Sequence, residues 1–298
     1  DHHTGQRLLE RPRGKGLREE RTRSPNIRLE SFLHRGRQPE KNDDRDAEAI
    51  AEAATRPTMR FVELKSQAQL DVQSLHRARS RLVGARTTLT NQLRAILLER
   101  GTVIAQRRHK LEQAVDALLA DPDFMSGSRI RRLLADMRQE WIDLDRRIGA
   151  LDREFVELAR DNVAARRLTS IPGIGALNAT ALVAAVGDGA TFAKARDLGA
   201  WLGLVPRQHT TGGKPRLLGI SKRGNKYLRT LLIHGARAAL PSLARSQTTL
   251  GVWLRNLLAR RHRNTVVVAL ANKLARIAWM ILRHEVTFQA NRATAMAA

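Results

Sequence analysis

The feature that most restricts how this chain can fold is a series of large apolar residues between positions 130 and 158. Ile130, Leu133, Met137, Trp141, Leu144, Ile148, Leu151, Phe155 and Leu158 recur at steps of three and four, with charged residues between them. About four heptads of this kind describe one long helix with a single apolar seam, the signature of a coiled coil. A second series, Leu75, Ala78, Leu82, Ala85, Leu89, Leu93 and Ile96, predicts another long helix closing near Gly101. A shorter helix over Leu111 to Leu119 lies between them and ends at Asp121-Pro122. Neither seam is stable facing water, so each needs a partner. Antiparallel pairing of the two long helices would make a hairpin arm. Pairing between chains would make a homodimer or tetramer, and the seams alone leave both open.

Charge restricts the partner. The 298 residues hold 53 Lys plus Arg against 29 Asp plus Glu, a net of +24. From Asn162 onward there are 21 basic residues against Asp188, Asp197 and Glu285, a net of +18. The remainder, 53 less 21 and 29 less 3, gives residues 1–161 a net of only +6. A surplus gathered in one half implies a surface for a polyanion such as nucleic acid. The absence of cysteine excludes disulfides and thiolate metal sites and fits a cytoplasmic setting. No uninterrupted run of 18 apolar residues occurs, so no membrane span is expected. The first residue is Asp and no signal-peptide pattern follows it, so the expectation is a fragment or a truncated reading frame.

Composition divides the chain into four parts. Residues 1–40 carry ten Lys or Arg, dispersed Gly and Pro and no sustained periodicity, and read as an irregular basic tail. The pair His2-His3 falls in this tail and reads as exposed rather than metal-binding. Residues 41–65 open with KNDDRDAEAIAEAA, where Asn42 or Asp43 can cap a helix rich in Ala and Glu. Asp43 and Asp46 project from one face of its first turn. Two carboxylates so placed can hold Mg²⁺, which prefers oxygen ligands, or can simply complement the helix macrodipole. Met59 to Leu64, MRFVEL, is a possible edge strand. Residues 66–161 are the coiled-coil arm, and residues 162–298 form a basic C-terminal domain.

Within that last part, LTSIPGIG (Leu168 to Gly175) matches the turn of a helix-hairpin-helix element. Gly173 and Gly175 permit a tight turn whose amides, with the next helix N-terminus, can bind a phosphate. An apolar helix follows from Ala179 to Val186, then a helix over Asp197 to Gly203. His209 to Leu240 contains no acid, and its bases include Lys214, Arg216, Lys222, Arg223, Lys226 and Arg229. This stretch reads as a glycine-flexed cationic loop that presents Ser221, between Gly219 and Gly224, and then enters a helix. Two amphipathic helices close the chain, over Val252 to Leu258 and Val266 to Leu282, the second apolar nearly all round. Tyr227, the single tyrosine, offers a tyrosine-recombinase reading, but it lies in a helical run where core packing is the usual role and no Arg-His-Arg signature accompanies it.

The segments LTSIPGIGALNATALVAAVGD, FAKARDLGAWLGLVPRQHTTGGKPRLLGISKRGNKYLRTLLIHGARAAL and VALANKLARIAWMIL closely resemble the C-terminal domain of the "IS one-ten" group of bacterial insertion-sequence transposases. KNDDRDAEAIAEAATRPTMRFVELKSQAQ resembles the end of that group's RuvC-like N-terminal domain, so the resemblance covers roughly Lys41 to Phe288. It implies a mainly α chain: a remnant of a RuvC-like (RNase H-like α/β) domain, a coiled-coil arm, and an all-helical C-terminal domain with a helix-hairpin-helix. It further implies a DNA transposase in which four acids bind Mg²⁺ and a serine attacks a DNA phosphodiester. In GISKRG that serine falls on Ser221, and the last two acids fall on Asp43 and Asp46. An element-encoded guide RNA is an implied second partner, and a cytoplasmic, nucleoid-associated setting follows. The group's first two acids should lie on strands well before Lys41, where Asp1, Glu10, Glu19, Glu20, Glu30 and Glu40 have no strand-like context. The expectation is a truncated copy that binds nucleic acid and does not transpose by itself. The rival reading is a non-catalytic nucleic-acid-binding protein in which Ser221 caps a helix or contacts a phosphate.

Overall fold

A computed structural model describes residues 43–56, 64–124, 128–211 and 213–289. The expectations placed on the N-terminal tail, on residues 57–63 and beyond residue 289 lie outside the described residues. The chain divides into two compact units, Asp1–Leu64 and Lys65–Ala298. In the first, helix α1 (Asp43–Thr55) realises the predicted Ala-rich helix.

The second unit begins with α2 (Gln67–Leu98), and Ser66 explains where it starts. Its side chain accepts from the Gln69 amide while the Gln69 side chain accepts from the Ser66 amide, a reciprocal box that satisfies two otherwise orphaned donors. Helix α3 (Arg108–Ala120) and helix α4 (Arg129–Asp161) follow, the latter capped by Ser128. Arg79 meets Asp152 and Arg86 meets Asp145, so residue numbers rise along α2 as they fall along α4. The two long helices are therefore an antiparallel pair within one chain, the hairpin arm among the arrangements the seams allowed.

Leu82, Leu89, Leu93 and Leu97 of α2, Leu111 and Val115 of α3, and Leu134, Met137, Trp141, Leu144 and Ile148 of α4 share one apolar core. The buried stripe differs from the strict heptad at its ends. Leu134 is buried while Leu133 is 41% exposed, and Leu97 is buried where the spacing placed Ile96. A straight helix turns every 3.6 residues rather than 3.5, so a seam extrapolated over four heptads drifts by about one position.

The remaining helices are α5 (Val163–Thr169), α6 (Ala176–Val186), α7 (Ala195–Trp201), α8 (Lys226–Arg245), α9 (Thr249–Leu258) and α10 (Arg263–His284). They surround α10, whose Val266, Leu270, Leu274, Ala278 and Ile281 are almost wholly buried. By length and composition α10 is apolar enough to cross a membrane, although Asn272, Lys273 and Arg276 interrupt its apolar run. Here it is the central core helix of the unit. Among the described residues the molecule is mainly α, as expected, with one exception. Strands β1 (Pro206–Thr211) and β2 (Lys214–Ile220) form an antiparallel hairpin where the sequence reading placed a loop.

Candidate functional site

The C-terminal helices converge on the segment that carries Ser221, immediately after β2. Two backbone bonds fix its position. The Ser221 amide donates to the Val205 carbonyl at 2.8 Å and the Lys222 amide donates to the Gly203 carbonyl at 3.1 Å. Residues 203–205, at the end of α7, thus act as a template for residues 221 and 222. The approach is so close that only glycine fits on either side. A Cβ on Gly203 would lie 2.1 Å from the Arg223 carbonyl oxygen, and one on Gly224 would lie 1.9 Å from that of Trp201. Both glycines also have positive φ, as does Lys222 at 56°, a conformation that non-glycine residues rarely adopt. Lys222 holds this backbone because the residues around it are pinned, and strain of this kind costs about 1–3 kcal/mol.

Ser221 is half-buried, whereas Lys222, Arg223 and Gly224 beside it are exposed. Asn225 then caps α8, its side chain accepting from the Leu228 amide at 3.1 Å, and Lys226 points into solvent from the first turn. On the hairpin, the register pairs His209 with Arg216 and Thr211 with Lys214. Because side chains alternate across a ribbon, these four share one face. The structure thus gathers Lys214 and Arg216 on the hairpin, and Lys222, Arg223 and Lys226 at its root. Among the described residues none of these five cations has an acidic partner.

Arg229 stands apart from this group. It is 8% exposed, and its guanidinium donates to the Leu202 carbonyl at 2.8 Å, the C-cap of α7. There it satisfies an orphaned helix-end carbonyl with a positive charge and ties α7 to α8. Its part in the site is to hold the template rather than to meet a ligand.

The turn at Gly173 and Gly175 is built differently. Gly173 has φ 92°, and its carbonyl oxygen would sit 1.9 Å from a Cβ on Gly235, so the turn packs directly on α8. The Asn178 side chain donates back to the Gly173 carbonyl at 3.1 Å. Gly175, at the N-cap of α6, is exposed and has open space around it. Of the two glycines, Gly173 is used for packing and Gly175 leaves the α6 N-terminus accessible.

Beneath the serine segment, a cleft of about 390 Å³ is bounded by α2, α6 and the start of α8, and includes Trp201, Asn225 and Tyr227. At its floor is an arrangement that sequence reading missed. His76 of α2 is 4% exposed, stacks on Phe155 with ring centroids 4.1 Å apart, and lies 3.0 Å from the Tyr227 hydroxyl and 3.1 Å from Thr180 Oγ1. Thr180 already donates to the Ala176 carbonyl, so it must accept from His76 Nε2–H. That leaves Nδ1 bare to accept the Tyr227 O–H. Burial first, and the nearby Arg79 charge second, lower the His76 pKa to about 4, so the ring is neutral at neutral pH. Burial pushes the Tyr227 hydroxyl upward, so it stays protonated and donating. In the sequence His76 stands beside the predicted seam (Leu75, Ala78) and not on it, and neutral histidines are ordinary core residues.

Asp43 begins α1 and Asp46 follows one turn later, half-buried. The Asp43 side chain lies outside the described residues. Oxygen donors of this kind suit Mg²⁺, but among the described residues no three His, Asp or Glu side chains gather. The described acids alone do not complete a metal site.

Comparison with known proteins bears on both units. Residues 165–249, from α5 to the start of α9, match the family model described as Transposase IS116/IS110/IS902 family. Residues 25–100 match a second transposase model, of the DEDD type of IS110 elements, which spans α1 and α2 and extends upstream of Lys41. The chain is 45% identical over 251 residues to a "Probable family 20 transposase" of Pseudomonas aeruginosa, covering 84% of this chain and 74% of that protein. It is 44% identical over 249 residues to the "Transposase for insertion sequence element IS1111A" of Coxiella burnetii, covering 84% and 68%. A "Pilin gene-inverting protein" of Moraxella bovis is 31% identical over 160 residues, covering 51% and 48%. Both the pinned serine segment and the Asp43 helix fall inside matched stretches, and the chain belongs to the IS116/IS110/IS902 family of insertion-sequence transposases.

Proposed function

We propose that the chain acts on insertion-sequence DNA by serine attack on a phosphodiester, with Ser221 as the nucleophile. The observation that carries this is the pinned, strained backbone that offers Ser221 beside exposed cations with no acidic partners among the described residues. A rigid hydroxyl loses little orientational freedom when it meets a phosphorus atom, and such positioning is a large part of catalysis. In the step assigned, Ser221 Oγ bonds to phosphorus, the bond from phosphorus to the departing sugar oxygen breaks, and the serine proton is balanced by protonation of that oxygen. One phosphodiester is exchanged for another, so no external energy source is required. Lys222, Arg223 and Lys226 offset charge on the pentacovalent phosphorus, Lys214 and Arg216 hold the flanking backbone, and Arg229 keeps the template in place. Gly175 and the α6 N-terminus, as the exposed part of a helix-hairpin-helix element, take a further phosphate, with Gly173 shaping the turn.

The family resemblance supports Mg²⁺ as cofactor: Asp43 and Asp46 would be two of the acids that hold it, and it would supply Lewis-acid polarisation of a phosphate. The assignment concerns the serine step, and full strand exchange requires further acids. The family resemblance supports a guide RNA, a RuvC-like fold for the segment around α1, assembly into a dimer or tetramer, and action in the cytoplasm at the nucleoid.

The test is denaturing gel analysis of covalent protein–DNA adducts with labelled element-end DNA, guide RNA and Mg²⁺. Ser221→Ala is expected to lower adduct yield by at least about 1,000-fold while nucleic-acid affinity stays within about twofold. An adduct of equal yield from Ser221→Ala would remove the serine from its assigned role. No adduct from the unaltered chain, with binding intact, would leave the non-catalytic reading.

A further inference from the structure

The arm has an accumulation of charge that the serine step does not use. Arg86 and Arg94 of α2, with Arg107 and Arg108 at the start of α3, line a cavity of about 460 Å³ together with Thr90 and Gln106. No carboxylate is among its lining residues. Asp145 of α4 accepts from Arg86 at 2.5 Å and from Arg108 at 2.8 Å. One acid shared between two guanidinium groups leaves the cavity with a surplus of three positive charges.

Three details show that the surplus is directed and not compensated internally. Arg94 Nε is buried with no acceptor within reach, while Nη2 of the same side chain donates to the Arg107 carbonyl at 2.9 Å. A buried donor left unmade costs about 1–3 kcal/mol, and an acceptor entering the cavity recovers it. Arg107 is exposed and holds φ 109°, a strained backbone for any residue with a side chain. It also occupies the N-cap of α3 without a side-chain cap, so the positive end of that helix opens in the same place.

We propose that this cavity binds one backbone phosphate of a nucleic acid lying along the arm. A phosphodiester is acceptor-only, carries one negative charge on two oxygens, and matches planar guanidinium donors better than a point charge would. The site is separate from the Ser221 segment, on a different part of the second unit, and does not depend on the serine being the nucleophile. Its role is anchorage: it fixes where a long nucleic acid runs, and it contributes nothing to bond making.

The experiment is a salt titration of binding by the full chain, followed by fluorescence anisotropy, with a labelled duplex DNA and separately with a labelled hairpin RNA. Arg107→Gln is expected to weaken binding roughly fivefold to tenfold at low salt and to flatten the slope of log affinity against log salt by about 1. Arg107→Gly makes the sharper variant, because it relieves the positive-φ strain. It should raise the melting temperature and still lose the same slope, which a folding defect cannot do. Arg107→Lys keeps the charge and should keep the slope. A change confined to one probe identifies whether DNA or RNA supplies the phosphate. Unchanged slopes for Arg107→Gln and Arg107→Gly with both probes overturn the proposal, whether or not Ser221→Ala abolishes the adduct.

Discussion

The arm and the helices after Asn162 use arginine in opposite ways. In the arm, Arg79 meets Asp152, Arg86 and Arg108 meet Asp145, and Arg138 meets Asp116 and Glu112. The Arg138 hydrogen bond holds the Asp116 carboxyl below its ordinary range, so the pair stays charged through mild acid. Beyond Asn162, three acids cannot match 21 cations, and the cations of the Ser221 segment face solvent without acidic partners among the described residues. Like charges held together without partners oppose compaction. The second region tolerates this because α10 gives it a continuous apolar core. Most arginine contacts in the arm pair with acids and set helix register, whereas the cations around Ser221 have no acidic partner among the described residues.

Glycine provides the most severe way to break the comparison, because the same substitution should have opposite signs in the two regions. Gly224→Ala places a methyl 1.9 Å from the Trp201 carbonyl oxygen at φ 101°. We expect a loss of at least about 4 kcal/mol, read from denaturant unfolding, because backbone has to move to admit it. A loss under about 1 kcal/mol would show that the serine segment is not pinned. The next largest effect is expected at the joint between the regions. His76 has a folded pKa of about 4 against 6.5 in the unfolded chain, so the unfolded state takes up the proton first as pH falls. Its contribution is complete above pH 6.5 and is lost as pH falls toward 4, by about 2 kcal/mol once residual solvation is allowed for. Unfolding free energies measured across that window should slope downward toward acid in the natural chain and flatten in His76→Gln. The smallest effect belongs to Gly84, within α2 and with open space at its Cβ position. Gly84→Ala should stabilise by about 0.5–1 kcal/mol through helix propensity alone, visible as a rise in thermal midpoint. Destabilisation there would mean that the exposed face of α2 is covered by something.

The helices were legible in the sequence because periodicity reports a buried face directly. The seam of α4, the Ala-rich α1 and the apolar α10 all announce themselves this way. The β-hairpin did not. Pro206 and Pro215 interrupt its strands, glycines stand at its turn, and every described residue from Pro206 to Gly219 is exposed, so no alternation of burial marked it. Among the site residues, Ser221 and its cations were readable as composition, but the template at residues 203–205 was not. That pairing joins residues separated along the chain, and only the fold shows why Gly203 and Gly224 face each other's neighbours. Arg229 illustrates the limit most plainly. Its sequence context is the same cationic run as that of Lys226, yet three residues further along α8 its side chain lies in the core.

The exposed hairpin has a consequence for how such a protein can change. Leu217 and Leu218 are 67% and 41% exposed, and the strands place no side chain in the core. Substitutions at Gln208, Thr210 or Leu217 therefore cost within about 0.5 kcal/mol, the range for surface positions away from special features. The segment nearest Ser221 is also the one whose wording the fold does not dictate. A lineage can revise what this ribbon touches while the serine, its template and the helical body stay as they are.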